Sequence, residues 1–205
     1  MHASIPEPPH APNAQRLTPA PSGVFTIWMT GLSGAGKSTL AQHLVDRMQQ
    51  EGRASYMLDG DVLRDGLSSD LGFSRQDRRE QVRRVAHVAR IMNEAGVAVI
   101  VALVSPYRAD RLMARDIIGS GAMHEVWVCT PLPVCQERDP KGLYRRANAG
   151  QLPAMTGVAD PYEPPGEEAL WIDTSRHDVA ACANRILDAF SIQACTTGND
   201  QHVRR

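Results

Sequence analysis

A chain of 205 residues with 22 lysines and arginines against 23 acidic residues carries a formal net charge of −1. That balance gives no electrostatic support for a nucleic-acid or membrane partner, and the length suits one domain with a substantial core. The four cysteines, Cys129, Cys135, Cys182 and Cys195, form neither a C-x-x-C pair nor a zinc spacing. They fit reduced thiols of a cytoplasmic protein.

Residues 1–22 are rich in proline and alanine and lack an apolar core segment. They are expected to form a disordered arm and not a secretory leader, ahead of a single domain over 23–192. Val24 to Met29, β-branched and aromatic, reads as a buried strand. Residues 31–39 then spell Gly-Leu-Ser-Gly-Ala-Gly-Lys-Ser-Thr, the P-loop pattern with Gly31, Gly36, Lys37 and Ser38 at its fixed positions. Leu40, Ala41, Leu44, Val45 and Met48 follow at helical spacing up to Gly52. A strand, a glycine loop and a helix in that order place phosphate at a helix N-terminus.

Ala54 to Leu58 reads as a second strand ending at Asp59-Gly60-Asp61, and Ser74 with Asp77 as the capping box of a helix over 75–95. That helix should bury Val82, Val85, Ala86, Ala89 and Met92. The apolar run Val97 to Val104 predicts a central strand covered on both faces, far too short to span a bilayer. A helix after Ser105-Pro106 should face Leu112, Met113, Ile117 and Ile118 inward, and Glu125 to Cys129 should be a fourth strand before a short helix opened by Pro133. Residues 139–166, rich in glycine and proline, read as a mobile segment around one helix at 141–149. Leu170 to Ile172 is a fifth strand, and the last helix should be capped near Ser175; residues 193–205 read as a flexible tail. Strands alternating with helices predict an α/β fold: a parallel sheet of the P-loop type with helices on both faces and a mobile lid.

The chemistry should gather at the carboxyl ends of the strands. There the backbone of Gly31, Ser33, Gly34, Ala35, Gly36, Lys37, Ser38 and Thr39 can cradle the phosphates of ATP. Lys37 adds a positive charge, and the Ser38 hydroxyl is a hard oxygen ligand for Mg²⁺. Asp59 and Asp61 can divide two tasks, one holding Mg²⁺ and the other accepting a hydroxyl proton; an Asx turn at a strand end is the plainer reading. No aspartate ends the Val97–Val104 strand, which disfavours a motor ATPase and suits a small-molecule kinase. Arg78, Arg79, Arg83 and Arg84 on one helix read mainly as a solvated face, from which one or two could clamp an anion.

Together the motifs resemble the adenylyl-sulfate kinase family from about Ile27 to Thr174. The specific strings are Leu58-Asp59-Gly60-Asp61, Asp70-Leu71-Gly72-Phe73-Ser74, Ser105-Pro106-Tyr107-Arg108, Arg138-Asp139-Pro140-Lys141-Gly142-Leu143-Tyr144 and Pro161-Tyr162-Glu163. The resemblance implies phosphorylation of adenosine 5′-phosphosulfate on its ribose 3′-hydroxyl by MgATP. It implies that Asp59 and Asp61 are the acidic pair and that Arg138 belongs to the ATP side. Arg64, Arg78, Ser105, Pro106 and the lid residues Lys141, Gly142 and Leu143 fall on the acceptor side, with Phe73 stacking on adenine. Gln81 and Met155 fall on the acceptor side too, Gln81 where family members often have asparagine and Met155, opposite Phe73, where they often have a second aromatic. A homodimer and a functional link to ATP sulfurylase are further implications of the resemblance alone. A kinase for a sugar acid or nucleoside monophosphate, and a regulatory subunit without turnover, are the competing readings; the intact Lys37, Ser38 and acidic pair count against the second.

Overall fold

A computed structural model describes residues 24–152, 154–190 and 192. The expected arm at 1–22 and tail at 193–205, Cys195 included, lie outside the described residues. Five parallel strands, β1 (Thr26–Thr30), β2 (Ser55–Asp59), β3 (Ala98–Ala102), β4 (Met123–Val128) and β5 (Leu170–Ile172), pair in the order β2-β3-β1-β4-β5. β1 is central, with Ile27 opposite Ile100 on one side and His124 on the other, and every residue of β1 is buried. A strand covered on both faces has no polar side to show, which is why β3 reads as an unbroken apolar run and β1 as an apolar stretch between two buried threonines.

Successive side chains of β1 point to opposite faces and so meet two separate cores. Ile27 and Met29 pack with Leu40, Leu44 and Met48 of α1 (Lys37–Gln50) and Ile186 and Leu187 of α7 (Val179–Ala189). Trp28 packs with Val82, Val85, Ala86 and Ala89 of α3 (Arg75–Glu94) and Ala114 of α4 (Arg108–Ile118). The capping box of α3 is present, with Ser74 and Asp77 each accepting from the other's backbone N–H. The connection after β2 runs to one flank of β1 and that after β3 to the other, so the chain leaving β1 emerges at the switch point of an open α/β sheet.

Four details differ from the sequence pattern. A short helix, α2 (Gly60–Asp65), follows β2 at once, capped by Asp59. β3 is shorter than the Val97–Val104 run, because the backbone turns at Ser105 with φ +34. In α4, Leu112 is half exposed, while Arg111 and Ala114 face inward; the helix is rotated to aim Arg111 at Glu125 on β4. The cap of α7 is Asp178, which accepts from Ala181 N–H, whereas Ser175 is occupied with Asp173. The segment after α5 (Leu132–Arg138) contains α6 (Leu143–Asn148), as expected of the lid. Cys129, Cys135 and Cys182 are free and buried.

His124 on β4 is stacked on Phe190 with centroids 4.4 Å apart, and its Nε2 has no partner. Burial, aided by Arg115, pushes its pKa down to about 4. The unfolded chain therefore binds a proton between about pH 6.5 and 4 that the fold excludes, so stability is full above this window and is lost as pH falls through it. Melting temperatures measured from pH 7 to pH 4 should fall less steeply for His124→Phe than for the parent chain; parallel curves would remove this account.

Candidate active site

Gly31, Gly34 and Gly36 have φ of +146, +76 and +96, conformations open to glycine and strained for other residues. Space is as decisive as torsion. A Cβ on Gly31 would run into the carbonyl oxygen of Val128, and one on Gly34 would lie 2.7 Å from that of Cys135. The loop so formed delivers the chain into α1 with no side chain capping its first turn, so backbone N–H groups there are available to an anion. Lys37 is buried and donates from Nζ to the carbonyls of Gly31 at 2.9 Å and Leu32 at 2.8 Å. Burial lowers its pKa to about 8.

A ring of hydroxyls and one guanidinium grips the loop from outside. Thr130 and Thr174 both donate to the Ala35 carbonyl, at 3.0 and 2.8 Å. Arg138 donates to the Thr174 hydroxyl and carbonyl, and the Tyr144 hydroxyl donates to the Ser33 carbonyl at 3.0 Å. The sequence reading located Arg138 but assigned nothing to Thr174 or the Tyr144 hydroxyl. The one sequence signal for Thr174 is its place just beyond β5.

The Asx-turn reading of the acidic pair is realised, and the same aspartate makes a second contact to Ser38. One oxygen of Asp59 accepts from Asp61 N–H at 2.9 Å, the turn contact, and the other accepts from the Ser38 hydroxyl at 2.5 Å. Asp59 is buried, while Asp61 is exposed in the cleft and ion-paired with Lys141 from the lid. Because the Ser38 hydroxyl donates to Asp59, its oxygen lone pairs are turned away from that contact on an exposed side chain. A hydroxyl oxygen backed by a carboxylate is a hard donor set, and no cluster of three or more His, Cys, Asp or Glu suited to a metal occurs among the described residues. That composition fits Mg²⁺, which keeps its waters and substrate phosphates and needs few protein ligands.

At the other end of the cleft stands Phe73, 57% exposed, with the Arg64 guanidinium 4.4 Å from its ring centroid and that of Arg78 at 5.6 Å. Arg64 donates to the carbonyls of Leu71 and Gly72, and Arg78 to those of Phe73 and Ala154. Partial burial lowers the pKa of both arginines. Gln81 is buried and its amide nitrogen braces the Gly60 carbonyl at 3.0 Å. Arg83 and Arg84 pair with Glu80, and Arg84 also with Asp70, the solvated face read from the charge pattern.

One cleft of about 900 Å³ takes in Ser33, Gly34, Gly36, Lys37, Ser38, Thr39 and Arg138 together with Asp61, Arg64, Phe73, Arg78, Gln81, Ser105, Pro106, Lys141, Leu143 and Met155. Gly31, Ala35 and Gly142 shape it without lining it, Gly142 as the left-handed cap of α6. The structure thus gathers the residues that the sequence reading scattered over more than a hundred positions.

A sequence model of the family described as adenylylsulphate kinase matches residues 23–173. The chain belongs to the adenylyl-sulfate kinase family. An adenylyl-sulfate kinase of Shewanella amazonensis is 51% identical over 162 residues, which are 79% of this chain and 82% of that one. One from Pseudomonas entomophila is 49% identical over 80% of this chain and 78% of its own. A solved structure of the Mycobacterium tuberculosis APS kinase CysC in complex with AMPPNP and APS superposes with a TM-score of 0.78 at 39% identity, covering 83% of this kinase and 99% of that chain.

The collision at Gly31 yields a test. Gly31→Ala should weaken ATP binding by at least about ten-fold and lower the melting temperature, since strained torsion and a backbone clash add. Gly52→Ala makes the control, because φ there is +77 but a Cβ would meet nothing within 4 Å. Calorimetry with ATP on both variants should find only the first impaired.

Proposed function

We propose that this kinase transfers the γ-phosphoryl group of ATP to the 3′-hydroxyl of adenosine 5′-phosphosulfate, giving ADP and 3′-phosphoadenosine 5′-phosphosulfate. The observation that carries the reading is that the P-loop and the Phe73–Arg64–Arg78 platform line one cleft, with Asp61 close enough to act electrostatically on both Lys37 and Arg64. The family membership names the acceptor, and the cleft supplies places for both substrates.

In this reading Gly31, Ser33, Gly34, Ala35, Gly36, Lys37, Ser38 and Thr39 hold the ATP phosphates. Arg138, fastened to Thr174, borders the same end. Ser38, with Asp59 behind it, holds Mg²⁺, which when bound screens phosphate charge. Lys37, brought forward on its loop carbonyls, balances the charge on the leaving ADP. The acceptor oxygen forms a bond to the γ-phosphorus as the bond to the bridging oxygen breaks, and the hydroxyl proton passes to a carboxylate. We take Asp61 as that carboxylate, since both oxygens of Asp59 are engaged; Asp61 would exchange its Lys141 contact for the proton.

On the acceptor side, Phe73 offers a ring face to adenine, and the thioether of Met155 packs opposite. Arg64, Arg78 and Lys141 meet the anionic groups, while Ser105 and Pro106 form the floor and Gly142 and Leu143 the lid edge. Gln81 acts through its brace on Gly60. A homodimer, a cytoplasmic location and a functional link to ATP sulfurylase belong to the same proposal, supported by the family resemblance. Among the described residues no helix is long and apolar enough to cross a membrane.

ATP consumption measured against a panel of hydroxyl acceptors tests the reaction. Adenosine 5′-phosphosulfate should support turnover, while gluconate and nucleoside monophosphates should not. Comparable turnover on any of the latter would defeat the assignment. For the adenine platform, base stacking on an aromatic is worth ~1–3 kcal/mol, so Phe73→Ala should raise the acceptor dissociation constant about ten-fold and leave that of ATP alone. Unchanged acceptor binding would withdraw Phe73 from the site.

A further inference from the structure

We infer that Arg111 is a positioning residue for the acceptor end of the cleft: its buried guanidinium sets the Ser105–Pro106 floor and the Glu163 strap against β4. The inference rests on the reading of that end as the acceptor subsite. Arg111 touches none of the residues assigned to phosphate transfer, and it is only 2% exposed. Nε donates to Glu125 at 2.6 Å, one terminal nitrogen to the Ser105 carbonyl at 2.8 Å, and the other to the Glu163 carbonyl at 2.8 Å. Three segments distant in sequence meet on one rigid fork.

Ser105 needs such support. Its φ is +34, in the left-handed region, and a side chain holds that conformation only when its surroundings over-determine it. The Trp28 indole N–H donates to its hydroxyl at 3.1 Å, and its carbonyl takes a second bond from the Thr30 hydroxyl at 3.3 Å. The strap is joined to the floor directly. Glu163 N–H donates to the Pro106 carbonyl at 2.8 Å, and the Glu163 carboxylate accepts from Arg108 N–H at 2.8 Å. Tyr162 closes the far side through its hydroxyl contact with Thr30 at 3.0 Å.

A buried ion pair is seldom more stabilising than a well-packed apolar pair of the same size. Overall stability therefore does not explain a fully buried arginine and glutamate behind this floor, whereas fixed geometry does. Ser105 and Pro106 line the cleft and Arg111 stands behind them, so its effect should appear in acceptor affinity and not in ATP affinity.

Two variants test this. Arg111→Met combined with Glu125→Leu removes both charges of the pair together; Arg115, the second partner of Glu125, is 24% exposed and is left to the solvent side. Arg111→Lys keeps a charge opposite Glu125 but loses the planar fork to Ser105 and Glu163. In either folded variant the KM for adenosine 5′-phosphosulfate should rise by about ten-fold, with the ATP dissociation constant unchanged and kcat at saturating acceptor changed far less. Amide hydrogen exchange at Arg108 and Glu163 should accelerate in Arg111→Lys while that of β1 stays as in the parent chain. A wild-type acceptor KM together with unchanged exchange at these two amides overturns the inference. Accelerated exchange in a chain whose parent form ignores adenosine 5′-phosphosulfate keeps the positioning role and sinks the proposed function instead.

Discussion

The chain leaving β1 must turn where the carbonyl oxygen of Val128 already fills the space a side chain would need. From that close approach the rest of the cleft descends. The glycine loop lies against β4, its carbonyls turn back to receive Lys37, and α1 begins with its N–H groups facing the opening. Thr130 and Thr174 then reach the same Ala35 carbonyl because they stand just past the ends of neighbouring strands. A loop without side-chain bulk can be held this closely from behind while its front stays clear for phosphate.

The two aspartates show how a single turn separates tasks. Asp59 ends β2 and is buried, so its oxygens are taken by a backbone N–H and the Ser38 hydroxyl. Asp61, two residues on, lies on the first turn of α2 and faces the cleft, where its partner is a lysine from the lid. The short helix between strand and arginine also carries Arg64 round to the Phe73 ring. Gln81 fixes the helix start from α3. Small displacements of Gly60 would therefore move both carboxylates and Arg64 together.

Features that depend on near neighbours were legible in the sequence. The P-loop, the apolar strands β1 and β3, the Ser74–Asp77 capping box and the lid helix all rest on spacing within a few residues. What was hidden depends on partners far along the chain. Arg111 reads as one more helix arginine until Glu125, Ser105 and Glu163 are brought around it, and its burial is what turns Leu112 outward. The brace of the Gln81 amide on the Gly60 carbonyl is seen only once α3 is brought to the start of α2. Ser175 is as good a cap by type as Asp178, and the nearby Asp173 decides between them by occupying Ser175. Local chemistry selects the elements; long-range pairing selects which of several equivalent side chains is used.

The thiols of Cys129 and Cys135 flank the loop end of the sheet, and burial pushes both up to about 11. At neutral pH both are held as the thiol, the less nucleophilic form. The Cys135 backbone walls Gly34, yet its sulfur is spent on the Thr130 carbonyl and has no exposure to solvent. Of these two buried thiols neither is open to peroxides or alkylating reagents. The same close packing that forbids a methyl group at Gly34 keeps the Cys135 sulfur from solvent.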